Sequence, residues 1–348
     1  MDKRPRLVSA QRLESDEEEK SLRPVTFDEF VGQSKIVENL KVFIQSAKMR
    51  SQPLDHVLLA GPPGLGKTTL AYIIARDLGV NIRSASAPLL DKSDVASILT
   101  SLEGSDILFI DEIHRLSPAI EEILYPAMED RTLDIIIGQG MGAKAIKINL
   151  SSFTMIGATT RTGLLTSALR DRFGIPVRLN YYGRDDLKKI AIRTSSILNC
   201  PITDDAAFEI ADRSRRTPRI VNRLIKRVSD FATVMNRQTI DLEITRYALK
   251  QLDIDDLGLD EMDRKILSSI IEKYDGGPVG IKTIAISVGE EIETLEDFYE
   301  PFLVQIGLLQ RTPRGRVATR FAFEHLGIEY RKAFNNSLQK SLFTDNSD

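Results

Sequence analysis

The segment Gly61 to Thr69, GPPGLGKTT, leaves few choices of fold. Its Gly61, Gly66, Lys67 and Thr68 satisfy the spacing G-x-x-x-x-G-K-[ST]. Apolar residues Val57 to Ala60 precede it and a helix-forming run, Thr69 to Leu78, follows it. A strand, a tight loop and a helix in that order belong to a parallel α/β sheet. Glycines let consecutive N–H groups turn toward one point, and the helix N-terminus adds positive potential there. Phosphate binds at such a point. Lys67 then reaches the β- and γ-phosphates of a nucleotide, and the Thr68 hydroxyl ligates Mg²⁺.

The run Asp106-Ile-Leu-Phe-Ile-Asp-Glu112 supplies the next constraint. Ile107 to Ile110 suit the interior of a parallel sheet, and Asp111 and Glu112 then project at its carboxyl end, where ligands bind in open α/β sheets. Asp111 is placed to hold Mg²⁺ through water, and Glu112 to orient or deprotonate an attacking water. His114 reads as a loop or helix-start histidine. A third apolar strand, Phe153 to Ala158, ends in Thr159-Thr160-Arg161, whose polar side chains would reach the γ-phosphate or its attacking water. Arg170 and Arg172 flank Asp171 before a Phe-Gly turn. An arginine on a rigid element there suits the charge of a transferring phosphoryl group, often on a neighbouring subunit.

Around this core the chain divides. Residues 1–20 form an acidic tail with no assigned role. A helix carrying Leu40, Phe43, Ile44 and Ala47 on its apolar side precedes the first strand. Leu133, Ile135, Ile137 and Ile146, Ile148, Leu150 alternate at period two around GQGMGAK, a hairpin whose Met141 tip suits partner docking. From Tyr182 to about Leu252 the text is helical, with Arg219 at the start of a helix. Beyond it come three helices, Asp260 to Lys273, Ile281 to Ser287 and Glu291 to Gln305, then two short strands around Thr312-Pro313-Arg314-Gly315: a winged helix. Its would-be recognition helix carries Glu290, Glu291, Glu293, Glu296, Asp297 and Glu300, which repel phosphate. Arg311, Arg314, Arg316 and Arg320 lie in a stretch without acids and favour sequence-independent phosphate contact.

A net charge of −3 does not mark a nucleic-acid binder, so any such role rests on that local patch. One cysteine, Cys200, and three scattered histidines exclude a disulfide framework and a cysteine–histidine metal cluster. No apolar run approaches a membrane span and no signal peptide is legible, which points to the cytoplasm.

In order, GPPGLGKTT, LFIDEIHRLSP, LYPAMEDR, IGATTR, LRDRFGI, TPRIVNRL and LQRTPRGR closely resemble the RuvB family of AAA+ motors, from about Leu22 to Gly327. The resemblance implies an α/β AAA+ P-loop NTPase core over 21–181, a small all-α lid domain over 182–254, and a C-terminal winged-helix domain over 255–335, with a tail over 336–348. It implies a homohexamer around double-stranded DNA that uses ATP and Mg²⁺ to migrate Holliday junctions, with RuvA docked on the hairpin and RuvC in the same complex. Leu22 and Arg23 match the adenine border. Gly64, Lys67, Thr68 and Thr69 match phosphate ligands, with Thr68 and Asp111 at the metal. Thr159 and Thr160 match sensor 1, Arg172 the arginine finger and Arg219 sensor 2. Glu129, Asp130, Arg131 and Tyr182 match further nucleotide positions, and Arg311 and Arg316 the DNA-contacting wing. The resemblance departs at Ile292, where many relatives carry an arginine, so no DNA contact is carried over there. Two other readings share these motifs: another remodelling AAA+ ATPase, and a nucleotide-gated DNA-binding initiator. The arginine wing separates the first, and the set Asp111, Glu112 and Arg172 the second.

Overall fold

The computed structural model describes residues 21–137 and 144–330. Two compact units divide the chain, Met1–Ala248 and Leu249–Asp348. The first begins with α1 (Ser34–Arg50), β1 (Val57–Ala60), α2 (Lys67–Leu78), β2 (Ile82–Ser86), α3 (Lys92–Thr100), β3 (Ile107–Asp111) and α4 (Pro118–Glu129). A hairpin, β4 (Thr132–Ile137) and β5 (Lys144–Asn149), precedes β6 (Thr154–Thr159), α5 (Ser167–Arg170) and β7 (Ile175–Arg178). Four helices follow: α6 (Arg184–Ile197), α7 (Asp204–Asp212), α8 (Pro218–Val234) and α9 (Leu242–Gln251).

The five-stranded sheet runs β2-β3-β6-β1-β7, and its neighbours pair in parallel. β1 and β6 are buried along their whole length and β3 up to Ile110, as expected of strands covered on both faces. Ala60 pairs with Thr159, and Ile110 with Gly157. The ends of β1, β6 and β3 therefore meet on one edge of the sheet. Gly157 sits where β6 is crossed: a Cβ there would lie 2.7 Å from Ile113 Cδ1 and 3.1 Å from Phe173 Cζ. Gly157→Ala is expected to destabilise the unit by about 1–3 kcal/mol through overpacking, measured by chemical denaturation.

In α1 the buried stripe is Val37, Leu40, Ile44 and Ala47. Phe43, expected on that face, is 41% exposed, because the 3.6-residue period carries it off the stripe. The antiparallel hairpin pairs Thr132 with Asn149 through Ile137 with Lys144. Its expected docking tip at Met141 lies outside the described residues.

The second unit holds α10 (Glu261–Tyr274), α11 (Ile281–Val288), α12 (Ile292–Thr294), α13 (Glu300–Gln305), β8 (Leu309–Thr312), β9 (Gly315–Ala318) and α14 (Arg320–His325). Ile266, Leu267, Ile270, Leu303, Leu309 and Phe323 belong to its own core. The expected single helix from Glu291 to Gln305 is instead broken by a π-helical turn, Leu295–Tyr299. Pro301, in the first turn of α13, donates no N–H to the turn before it. β8 and β9 form the wing, and Val279 bridges to Arg316 along its edge. Among the described residues no helix is long and apolar enough to cross a membrane.

Candidate active site

Gly64 and Gly66 hold the loop at φ +78° and +96°, a region that a side chain rarely adopts, and this turn delivers the chain into α2. A Cβ on Gly64 would also stand 3.0 Å from Arg219 Cβ. Lys67 is 7% exposed, and its Nζ donates to the carbonyls of Gly61 (2.8 Å) and Pro62 (2.9 Å). Burial pushes its pKa down, while the carboxylates of Glu112 and Asp111 act the other way. Thr68 Oγ1 donates to Asp111 Oδ2 at 3.2 Å, and Asp111 Oδ1 accepts the Glu112 N–H at 3.0 Å.

Glu112 takes the left-handed conformation, φ 51° and ψ 42°, at the tip of β3. A non-glycine residue there costs of order 1–3 kcal/mol and persists only when its surroundings hold it. They do. Thr160 Oγ1 donates to Glu112 Oε2 at 3.3 Å, and His114 Nδ1 lies 3.3 Å from the same oxygen. His114 Nδ1 is also 3.0 Å from Thr159 Oγ1. His114, first read as a loop histidine, is thus a buried link between the β3 and β6 tips.

Lys67, Thr68, Thr69, Asp111 and Glu112 line a cleft of about 360 Å³. Gly64 and Arg219 line it too; the Arg219 N–H donates to Gly64 O at 3.3 Å, so the start of α8 rests on the loop. Leu22 and Arg23 close another side. Tyr182 joins them, its hydroxyl donating to Leu65 O at 3.2 Å, and burial strongly raises its phenol pKa, keeping the donor protonated. Sequence reasoning missed Arg193, which donates to Leu22 O at 2.7 Å and pairs with Glu29 at 3.2 Å, tying the strap before α1 to α6. Thr159 and Thr160 do not line the cleft and reach it through His114 and Glu112.

Glu129, Asp130, Arg131 and Arg172 are not brought to this cleft. Arg172 pairs with Glu129 at 3.0 Å and lies over the Tyr125 ring, 4.5 Å from its centroid. The expected nucleotide-site residues therefore fall into two groups within the chain, those that line the P-loop cleft and those that do not. Arg170 pairs with Asp171 at 3.8 Å, the surface pair its neighbours allow.

In the second unit the acidic helix and the basic wing, read separately in sequence, touch. Arg316 is 9% exposed; its Nε and Nη2 fork onto Glu300 at 3.2 and 2.9 Å, and Nη2 donates to Glu296 at 3.1 Å. In this structure it braces the wing against the acidic helix. Arg311 and Arg314 are exposed, with Arg311 3.6 Å from Glu300. Ile292 is exposed, between Glu291 and Glu293 in the chain.

A P-loop, a hydroxyl–carboxylate pair beside it, a held glutamate at the β3 tip and a helical lid on the loop define a P-loop ATPase of the AAA class. A family model for the "Holliday junction DNA helicase RuvB P-loop domain" matches residues 22–179, one for the "RuvB AAA lid domain" 182–255, and one for the "RuvB C-terminal winged helix domain" 256–327. A lysine-to-arginine variant of Thermotoga maritima RuvB is 52% identical, covers 88% of this chain and 99% of its own, and superposes with a TM-score of 0.83. The Thermotoga maritima protein described as a RuvB Holliday junction branch migration motor is 52% identical, covering 89% and 99%, with a TM-score of 0.82. The chain belongs to the RuvB family.

Proposed function

We propose that this chain is an ATP-driven motor that migrates the branch point of Holliday junctions. The observation that carries the reading is the fixed Glu112 carboxylate, held by Thr160 and His114 beside Lys67, Thr68 and Asp111. A nucleotide-binding switch has no need of a strained, hydrogen-bonded glutamate at this place; hydrolysis does. Leu22, Arg23 and Tyr182 would border the adenine, and Gly64, Lys67, Thr68 and Thr69 would hold the phosphates. Glu112 orients and deprotonates the attacking water, with Thr159 and Thr160 positioning it.

Mg²⁺ fits the residues present. The Thr68 hydroxyl and Asp111 carboxylate are hard oxygen donors 3.2 Å apart, and among the described residues no cluster of three His, Cys, Asp or Glu would hold a metal without the phosphates. When bound, it neutralises charge on the β- and γ-phosphates.

The separate group around Arg172 acts on the next subunit. A homohexamer places Arg172 and the Glu129–Arg131 corner of one protomer against the P-loop cleft of its neighbour, so each site is shared. Arg219, backed onto Gly64, transmits nucleotide state to the lid. RuvA docks on the β4–β5 hairpin, RuvC joins the same cytoplasmic complex, and Arg311 and Arg314 meet the phosphate backbone of duplex DNA. Arg316 contributes there by exchanging Glu296 or Glu300 for phosphate.

The wing is tested by salt dependence. Arg311→Ala and Arg314→Ala are each expected to weaken duplex binding uniformly across sequences and to reduce the log–log salt slope by about 1, read by fluorescence anisotropy. An unchanged slope in both would remove the wing from the DNA.

A further inference from the structure

We infer that Tyr125 is a positioning residue for Arg172, its ring a platform for the guanidinium and Glu129 the resting counter-ion. This deepens the reading of Arg172 as the arginine that completes a neighbour's site. α4 places Glu121, Tyr125 and Glu129 at i, i+4 and i+8, one face of the helix. Arg172 crosses that face, with its guanidinium 4.5 Å from the Tyr125 ring centroid and 3.0 Å from Glu129, while Nη1 donates to Ala168 O at 2.5 Å.

The ring is fixed from beneath. Its hydroxyl donates to Oε2 of the buried Glu121 at 2.5 Å, and Thr166 Oγ1 donates to the same oxygen at 2.7 Å. Thr166 is also the N-cap of α5, accepting the Leu169 N–H at 3.2 Å. One buried carboxylate thus ties the platform to the helix just before the arginine, and the two are held as one piece.

Of the guanidinium's contacts, the ring and Glu129 differ in kind. Glu129 is more than half exposed, so its ion pair is weak and is readily exchanged for a more highly charged phosphoryl group. The ring stays. A stacked, planar guanidinium has already given up the rotamers that a free arginine would lose on contact. Such pre-ordering acts on the chemical step and leaves ground-state binding of ATP on the cradle unchanged.

Steady-state ATP turnover of the full chain with junction DNA and RuvA tests this, comparing Tyr125→Phe, which keeps the ring, with Tyr125→Met, which conserves bulk without it. The expected result is a drop in kcat of about tenfold for Tyr125→Met. The ATP KM should stay within about twofold, and Tyr125→Phe, which keeps the ring and loses its tie to Glu121, should fall by less than Tyr125→Met. Wild-type turnover in Tyr125→Met, or an equal fall in Tyr125→Phe, would overturn the inference, as would a KM that rises with the loss. Tyr125→Gln makes the same comparison if Tyr125→Met fails to melt like the wild type. Arg172→Ala, assayed beside them, separates the two levels: if it turns over normally the arginine reading itself fails, whereas its inactivity with a normal Tyr125→Met removes only the platform.

Discussion

Arg172→Ala should lower ATP turnover by about 10³-fold while leaving ATP binding within about twofold, because arginines of this kind act on the transferring phosphoryl group and not on the bound nucleotide. The geometry makes the cause testable. Arg172 sits with Glu129 and Tyr125, outside the cleft of its own chain, so under the proposed function its loss should act on a neighbour. Mixing Arg172→Ala with Lys67→Ala, a protein expected to lose its own phosphate cradle, should therefore restore part of the turnover: some interfaces then pair an intact cleft with an intact arginine. Turnover of the mixture no higher than the sum of its parts would place Arg172 outside the site.

Glu112→Gln should reduce turnover by about 10²–10⁴-fold, the range for removing a general base, with ATP still bound. The amide cannot accept the proton of water, yet it keeps the side chain's size in a pocket shaped by Thr160 and His114. The substitution removes one chemical capability and little structure. The loss should appear in single-turnover hydrolysis at saturating ATP, with nucleotide affinity measured separately by a fluorescent analogue. A Glu112→Gln protein hydrolysing at the wild-type rate would remove Glu112 from the reaction.

How much of this was legible beforehand follows from the range over which each feature is encoded. The P-loop was readable because glycines at fixed offsets, a lysine and a threonine carry the turn within one short segment. Asp111 and Glu112 were readable because they end an apolar run that only a buried strand accommodates. His114 was not. Its role comes from Thr159, which follows 45 residues later and meets it only when β6 lies beside β3. Arg193 is further still from its partner Leu22, at a separation of 171 residues.

The wing carries the same lesson about charge. Arg316 stands in a stretch without acids, and along the chain it reads as surface charge. Glu296 and Glu300, 20 and 16 residues earlier, turn it inward and neutralise it. Two of the carboxylates that made the preceding helix an unsuitable base-reader are occupied in bracing the wing. Phe43 and the turn Leu295–Tyr299 were missed for a local reason: periodicity places a stripe to within a residue or so, and does not register a π-turn.

The most direct test is conversion of a synthetic mobile four-way junction to duplex products by the purified chain with RuvA, Mg²⁺ and ATP, with Arg172→Ala run in parallel. Products should form with ATP and the wild-type chain, fail to form with a non-hydrolysable analogue, and fail with Arg172→Ala although it still binds ATP and junction. A wild-type chain that hydrolyses ATP at a rate indifferent to junction and RuvA, and leaves the junction unmoved, would contradict the motor and leave an ATPase with another task.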